Sequence, residues 1–147
     1  MPVISKNALV FYTVSEMFQL VDDIEHYAEF LPWCRSTKVI SRNDEEVKAS
    51  IEIAKGSLNK SFTTLNRIQK DKMIEMRLLE GPFKHLEGFW RFDPLKDNKA
   101  SKISLDLSFE FESKLIALAV GPVFNQIGNS MVDAFCKRAV EVYGERF

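Results

Sequence analysis

The spacing of apolar and polar positions changes its period twice along the chain, and each change marks a change of element. From Val3 to Phe11 β-branched and aromatic residues run without a breaker, which predicts a first strand. Met17, Leu20, Val21 and Ile24 then recur at helical spacing. They follow Thr13-Val14-Ser15-Glu16, the form of a capping box, in which the threonine and the glutamate satisfy each other's free backbone N–H groups. Asp22 and Asp23 can cap a second short helix that carries Tyr27, Phe30 and Leu31 and is stopped by Pro32. From Trp33 the period falls to two. Val47, Ala49, Ile51 and Ile53 alternate with polar residues, and Phe62, Thr64, Asn66 and Ile68 share one face. So do Ile74, Met76 and Leu78, then Leu86, Gly88, Trp90 and Phe92, then Ile103, Leu105, Leu107, Phe109 and Phe111. This is how antiparallel strands with one wet face read. Asn43-Asp44, Lys55-Gly56, Gln69-Lys70-Asp71, Gly81-Pro82 and Asp97-Asn98 separate them with turn chemistry.

The helical period returns between Gly121-Pro122, which read as an entry, and Gly144, which reads as an exit. Val120, Phe124, Ile127, Met131, Phe135 and Val142 form one stripe, with Ala134 and Ala139 beside it. A helix over 122–143 would be roughly 30 Å long. It needs an equally long apolar surface to cover it. The expected fold is therefore α+β: an antiparallel sheet of about seven strands curled around this helix, with two short helices plugging one end.

Length and composition support one domain over residues 1–147, with 46% apolar and 28% charged residues, and exclude a disordered or fibrous chain. No segment reads as a signal peptide or a membrane span, which predicts a cytoplasmic protein without stable membrane insertion. Cys34 and Cys136 lack metal-type spacing and are expected to be reduced thiols. The net charge of −1 hides an asymmetry, because residues 1–34 sum to −4 and residues 35–72 to +4. Within the basic segment, Lys48, Lys60 and Arg67 are read as outward strand residues and as candidate contacts for an anionic partner. The same residues are equally the solvated face of a sheet.

Small and polar residues interrupt the inward list at Ala49, Thr64, Asn66 and Gly88. An apolar wall with a few placed hydrogen-bonding groups has the character of a small-molecule pocket. The alternative is a sealed core in which Thr64 and Asn66 bond to backbone or buried water. In the pocket reading Phe62, Met76, Trp90, Phe124, Ile127 and Met131 converge on an elongated cavity, completed by Trp33 and Phe135. Gly88 opens it, and Thr64 and Asn66 are its polar contacts. Catalytic chemistry has little support. His26 and His85 lack a nucleophile or carboxylate at diagnostic spacing, no His/Cys/Asp cluster suits a metal, and no glycine-rich loop could cradle phosphate. An enzyme would have to draw on Thr64, Asn66, Tyr27 and His85.

Tyr27-Ala28-Glu29-Phe30-Leu31-Pro32-Trp33-Cys34 resembles the Tyr-Pro-Glu-Phe-Leu-Pro-Trp-Cys signature of the coenzyme-Q-binding proteins, with alanine where that signature often has proline. The order of elements resembles the START-like, or helix-grip, superfamily of polyketide cyclases. Further similarity runs through 60–66, 81–92, 109–116 and 131–139 and is greatest to the bacterial ribosome association toxin branch. That resemblance implies a non-enzymatic protein with one of two roles. One is binding the large ribosomal subunit, blocking subunit joining and translation initiation. The other is holding a polyprenyl quinone such as ubiquinone in the helix-grip cavity as a lipid chaperone. Neither involves DNA, a required cofactor or a metal.

Overall fold

The computed structural model describes residues 3–146. Strand β1 (Val3–Val10) leads into helix α1 (Val14–Asp22) and a short 3₁₀ helix (Ile24–Glu29). Six strands follow: β2 (Cys34–Arg42), β3 (Glu46–Lys55), β4 (Leu58–Gln69), β5 (Met73–Glu80), β6 (Phe83–Leu95) and β7 (Ala100–Phe111). Helix α2 (Lys114–Tyr143) closes the chain. Every strand pair is antiparallel, and the sheet order is β1-β7-β6-β5-β4-β3-β2, so β1 returns to flank the last strand of the meander. The curved sheet wraps α2.

The local causes are those the residue pattern implies. The Thr13 hydroxyl accepts from Glu16 N at 3.1 Å while the Glu16 carboxylate accepts from Thr13 N at 2.9 Å, which fixes the start of α1. At the β2–β3 turn the Asn43 side chain accepts from the N–H groups of Glu45 and Glu46, at 2.8 and 2.9 Å. Gly56 turns the β3–β4 hairpin at φ 60°, and Gly144 leaves α2 at φ 85°, both conformations that glycine takes without a Cβ penalty.

Four expectations need correction. First, α2 begins at Lys114, eight residues before Pro122. Ser113 caps it, accepting from Ile116 N at 3.2 Å. Pro122 therefore lies inside the helix and deprives the Leu118 carbonyl of its usual donor, on a turn where Leu118 is exposed to water. Second, the short second helix is 3₁₀ and ends at Glu29, so Phe30 and Leu31 lie beyond it. No side chain caps it: Asp22 is held by Arg42 at 3.0 Å, and Asp23 by His26 at 2.6 Å. Third, the buried stripe of α2 is Val120, Gly121, Phe124, Ile127, Gly128, Val132, Phe135 and Ala139. Val142 is exposed and Met131 half-buried. At Gly128 the helix comes so close to β1 that a Cβ would stand 2.4 Å from Ile4 Cδ1. Fourth, α2 is by length and composition apolar enough to cross a bilayer. Only 33% of that stretch is buried against the sheet, so composition and length alone are weak evidence of a span.

Two aromatic clusters brace the helix against the sheet. Toward the start of α2, Phe124 meets Phe109 at 4.8 Å and Phe83 at 4.9 Å, and Phe83 stacks on Phe111 at 5.1 Å. Farther along, Phe135 meets Trp90 and Phe30 at 5.3 Å and Tyr27 at 5.4 Å. Edge-to-face rings at these separations add packing energy beyond area burial.

Candidate functional site

Three segments far apart in sequence form a groove of about 800 Å³. Phe30, Pro32 and Trp33 supply one wall, the β3–β4 hairpin tip (Ala54, Lys55, Gly56) the second, and α2 from Val123 to Glu141 the third. The hairpin is held in place because Ala54 N donates to the Trp33 carbonyl at 2.9 Å. Lys55 Nζ also donates to Gln126 Oε1, tying the hairpin tip to the helix across the groove. Asp133, Lys137 and Glu141 give its outer part a mixed charge, and Phe30, Trp33, Val123 and Ile127 an apolar floor.

Behind this floor lies a cavity of only about 60 Å³, between helix and sheet. Trp33 and Ile127 border both spaces, so they form the partition between them. The lining is mostly apolar, with Thr64 and Asn66 on β4, each 6% exposed, as polar members. The Thr64 hydroxyl donates to Asn66 Oδ1 at 2.9 Å. Register sets the rest of the wall: Asn66 pairs with Met76, Met76 with Gly88, and Gly88 with Leu107.

Of the residues expected to form a pocket, Trp33, Phe62, Thr64, Asn66, Met76, Gly88, Phe124, Ile127 and Met131 border this cavity. Trp90 and Phe135 do not. They lie in the second aromatic cluster, 1% and 0% exposed, farther along the helix. Strand alternation gave Trp90 the right face but not its position along the helix axis. Gly88 does not open free space either, because the Met76 methyl occupies it: a Cβ at position 88 would stand 2.6 Å from Met76 Cε. The cavity also takes in Ile24, Tyr27, Ile51, Leu86 and Leu107, none of which the pocket reading included. Leu86 and Leu107 share the inward period of their strands, and Tyr27 opens the signature that runs to Cys34.

The candidate basic contacts divide between two faces. Lys48 and Arg67 lie on the outward face of β3 and β4, where Arg67 stands 3.9 Å from Glu46. Lys60 is in phase with Phe62 and Thr64 and pairs with the buried Ile53, so it belongs to the rim of the helix-facing side. The three are not one patch.

Tyr27 and the two thiols are poorly placed for acid–base chemistry. The Tyr27 hydroxyl donates to the Val21 carbonyl, and burial pushes the phenol far above its ordinary value. Burial raises Cys34 to about 11 and also raises Cys136. His85 faces outward beside Glu87, away from the cavity. The Asp23 carboxylate raises the exposed His26, first through its hydrogen bond and then through its charge. Among the described residues no three His, Cys, Asp or Glu side chains could hold a metal ion together.

A family profile for polyketide cyclase / dehydrase and lipid transport matches residues 10–136. The chain belongs to this family. It is 44% identical to the ribosome association toxin RatA of Pseudomonas aeruginosa over 141 residues, 96% of this chain and 97% of that one. It is 42% identical to the Escherichia coli protein of the same name, over 99% of this chain and 92% of that one. A mitochondrial coenzyme Q-binding protein from Xenopus laevis, COQ10 homolog B, is 28% identical over 97% of this chain and 59% of its own length. Among solved structures, an 18 kDa protein from Caulobacter crescentus superposes with TM-score 0.76 at 29% identity, covering 99% of this chain and all of that one. The Zhui aromatase/cyclase from Streptomyces superposes with TM-score 0.83 at 14% identity over 99% of both chains, a likeness of fold alone. The toxin relatives are not named as enzymes, whereas this fold neighbour is.

Proposed function

We propose that this chain is a ribosome association toxin that binds the large ribosomal subunit and blocks subunit joining. The observation that carries this is identity of 42–44% with proteins of that name over nearly the whole of both chains. Sedimentation of the purified protein with isolated large and small subunits tests it. Co-migration with the large subunit at low salt, and release as salt rises, is expected of a phosphate-contacting protein. A protein that stays at the top of the gradient at every salt concentration refutes the reading.

A second role, holding a hydrophobic ligand such as a polyprenyl quinone, is favoured by one feature, the pair of buried polar residues in an apolar cavity behind an open groove. Organic extraction of the purified protein followed by mass spectrometry tests it. A bound amphiphile in stoichiometric amount supports it, and an empty extract counts against it. The cavity as it stands is too small for a ring, so entry requires side chains to move.

A further inference from the structure

The outward face of the sheet carries its cations in a pattern that no single strand shows. Lys38 on β2 pairs with Ser50 on β3, and the next outward residue of β3 is Lys48. Lys48 pairs with Leu65, and the next outward residue of β4 is Arg67. Arg67 pairs with Glu75, the next outward residue of β5 is Met73, and Met73 pairs with Arg91 on β6. Arg91 pairs with Ser104, and the next outward residue of β7 is Lys102. Because the strands alternate in direction, all these steps lead the same way across the face. Diagonal neighbours on a sheet stand roughly 7–8 Å apart. Lys38, Lys48, Arg67, Arg91 and Lys102 therefore form one diagonal line, interrupted at Met73. It runs from β2 to β7, roughly 24 Å of sheet width at about 4.8 Å per strand.

Little neutralises this line. Lys38, Arg67 and Arg91 are exposed, and Lys48 and Lys102 are half-buried. Among the described residues the carboxylate paired with a member is Glu46, 3.9 Å from Arg67, an exposed contact of little worth. Glu75, across from Arg67, is held by Arg77 at 2.8 Å. The acidic helical segment lies on the other side of the sheet, where Arg42 pairs with the buried Val47 and holds Asp22 at 3.0 Å. A line of cations on a rigid face matches a line of anions better than it matches a broad charged surface. An RNA strand is such a line, and contacts to its phosphates fix position and orientation without reading sequence. Ser41 beside Lys48 and Ser104 beside Arg91 add hydroxyls of the kind that donate to phosphate or sugar.

We propose that this diagonal is the surface by which the chain docks on the large ribosomal subunit, and that its partner there is the sugar–phosphate backbone of ribosomal RNA. The proposal rests on the ribosome reading and adds to it the place and the chemistry of contact. Arg91 and Lys102 on β6 and β7 belong to that surface together with Lys38, Lys48 and Arg67.

The test is co-sedimentation with large subunits over a series of salt concentrations, for two triple variants of equal charge loss. Lys38→Gln with Arg91→Gln and Lys102→Gln removes both ends of the line. Lys6→Gln with Lys84→Gln and Lys114→Gln removes three lysines elsewhere. The first variant should reduce the slope of log affinity against log salt by roughly two to three, the value of three phosphate contacts. The second should reduce it by less than about one. If the first does not fold, Lys38→Gln with Arg91→Gln, both exposed, should still reduce the slope by roughly one to two. A slope unchanged in the first variant, or reduced as much in the second, overturns the proposal and leaves the ribosome reading standing. Wild-type binding that salt does not weaken also overturns it and assigns the contact to a ribosomal protein. A wild type that binds no large subunit at any salt refutes the ribosome reading, and this proposal with it.

Discussion

The Met76 methyl lies where a side chain at Gly88 would begin, so the glycine is the berth of the methionine. A Cβ at position 88 would meet Met76 Cε at 2.6 Å and Leu107 Cδ1 at 3.0 Å. Gly88→Ala must therefore evict a flexible methyl, and Gly88→Leu must also crowd Leu107. Overpacking of this kind costs about 1–3 kcal/mol, with the leucine variant at the upper end. Urea unfolding should show that adding Met76→Ala restores most of the loss in the alanine variant. An equal loss with and without Met76→Ala would mean that the methionine is not what the new side chain strikes.

The sheet was legible in the residues because its strands have one wet face. Alternation at Val47–Ile53 or Ile103–Phe111 fixes which side chains face the helix, and the turn residues fix where each strand stops. The beginning of α2 was not legible. Gly121-Pro122 is a strong local start signal, and only the pairing of Ser113 with Ile116 N reveals that the helix is already two turns old there. Leu115 and Leu118 deepen the ambiguity, since both are 78% exposed and mark no core face. In the candidate site, face was readable and position along the helix was not, which is why Trp90 and Phe135 were grouped with residues they pack beyond. The groove was invisible because 30–33, 54–56 and α2 come together only through the hairpin's bond to Trp33.

Phe135 anchors the second aromatic cluster on α2. It is 0% exposed and meets Tyr27, Phe30 and Trp90 within 5.4 Å. Phe135→Ala should cost about 3–5 kcal/mol by chemical denaturation. Met131→Ala should cost clearly less, because Met131 is half-buried and already borders a void. The reverse order would place the tight packing at the cavity end of the helix.

The C-terminal clasp should loosen in acid. The Glu16 carboxylate accepts two bonds from the Arg146 guanidinium, at 2.6 and 2.8 Å, and Arg146 also lies 5.0 Å over the Tyr12 ring. The Arg146 bond, ahead of every other influence, holds Glu16 below its ordinary value of 4.5. A carboxyl with a depressed folded value stabilises fully above its unfolded value, and the contribution is lost as pH falls through the folded one. The difference in Tm between wild type and Arg146→Ala should thus be full at neutral pH and shrink below about pH 4. A difference independent of pH would assign the clasp to ring contact alone.

The division of the basic residues between two faces turns the ribosome reading into a mapping experiment. Lys48 and Arg67 are diagonal neighbours on the outward face, because Glu46 pairs with Arg67 and Lys48 with Leu65. The 3.9 Å approach of Arg67 to Glu46 is an exposed pair of little worth, so the guanidinium is available to a phosphate. The acidic segment around the 3₁₀ helix offers less, since Asp22 is bound to Arg42 and Glu29 to Arg138, both at 3.0 Å. A surface docking on RNA meets one face of a rigid sheet. The double reversal Lys48→Glu with Arg67→Glu should therefore weaken large-subunit binding more than Lys60→Glu alone, with Tm unchanged because all three side chains reach solvent. It should also reduce the slope of log affinity against log salt by roughly one to two, the value of two lost phosphate contacts. If Lys60→Glu abolishes binding and the double reversal does not, the docking surface is the rim where Lys60 lies beside Pro82 and Ile116, close to the start of α2.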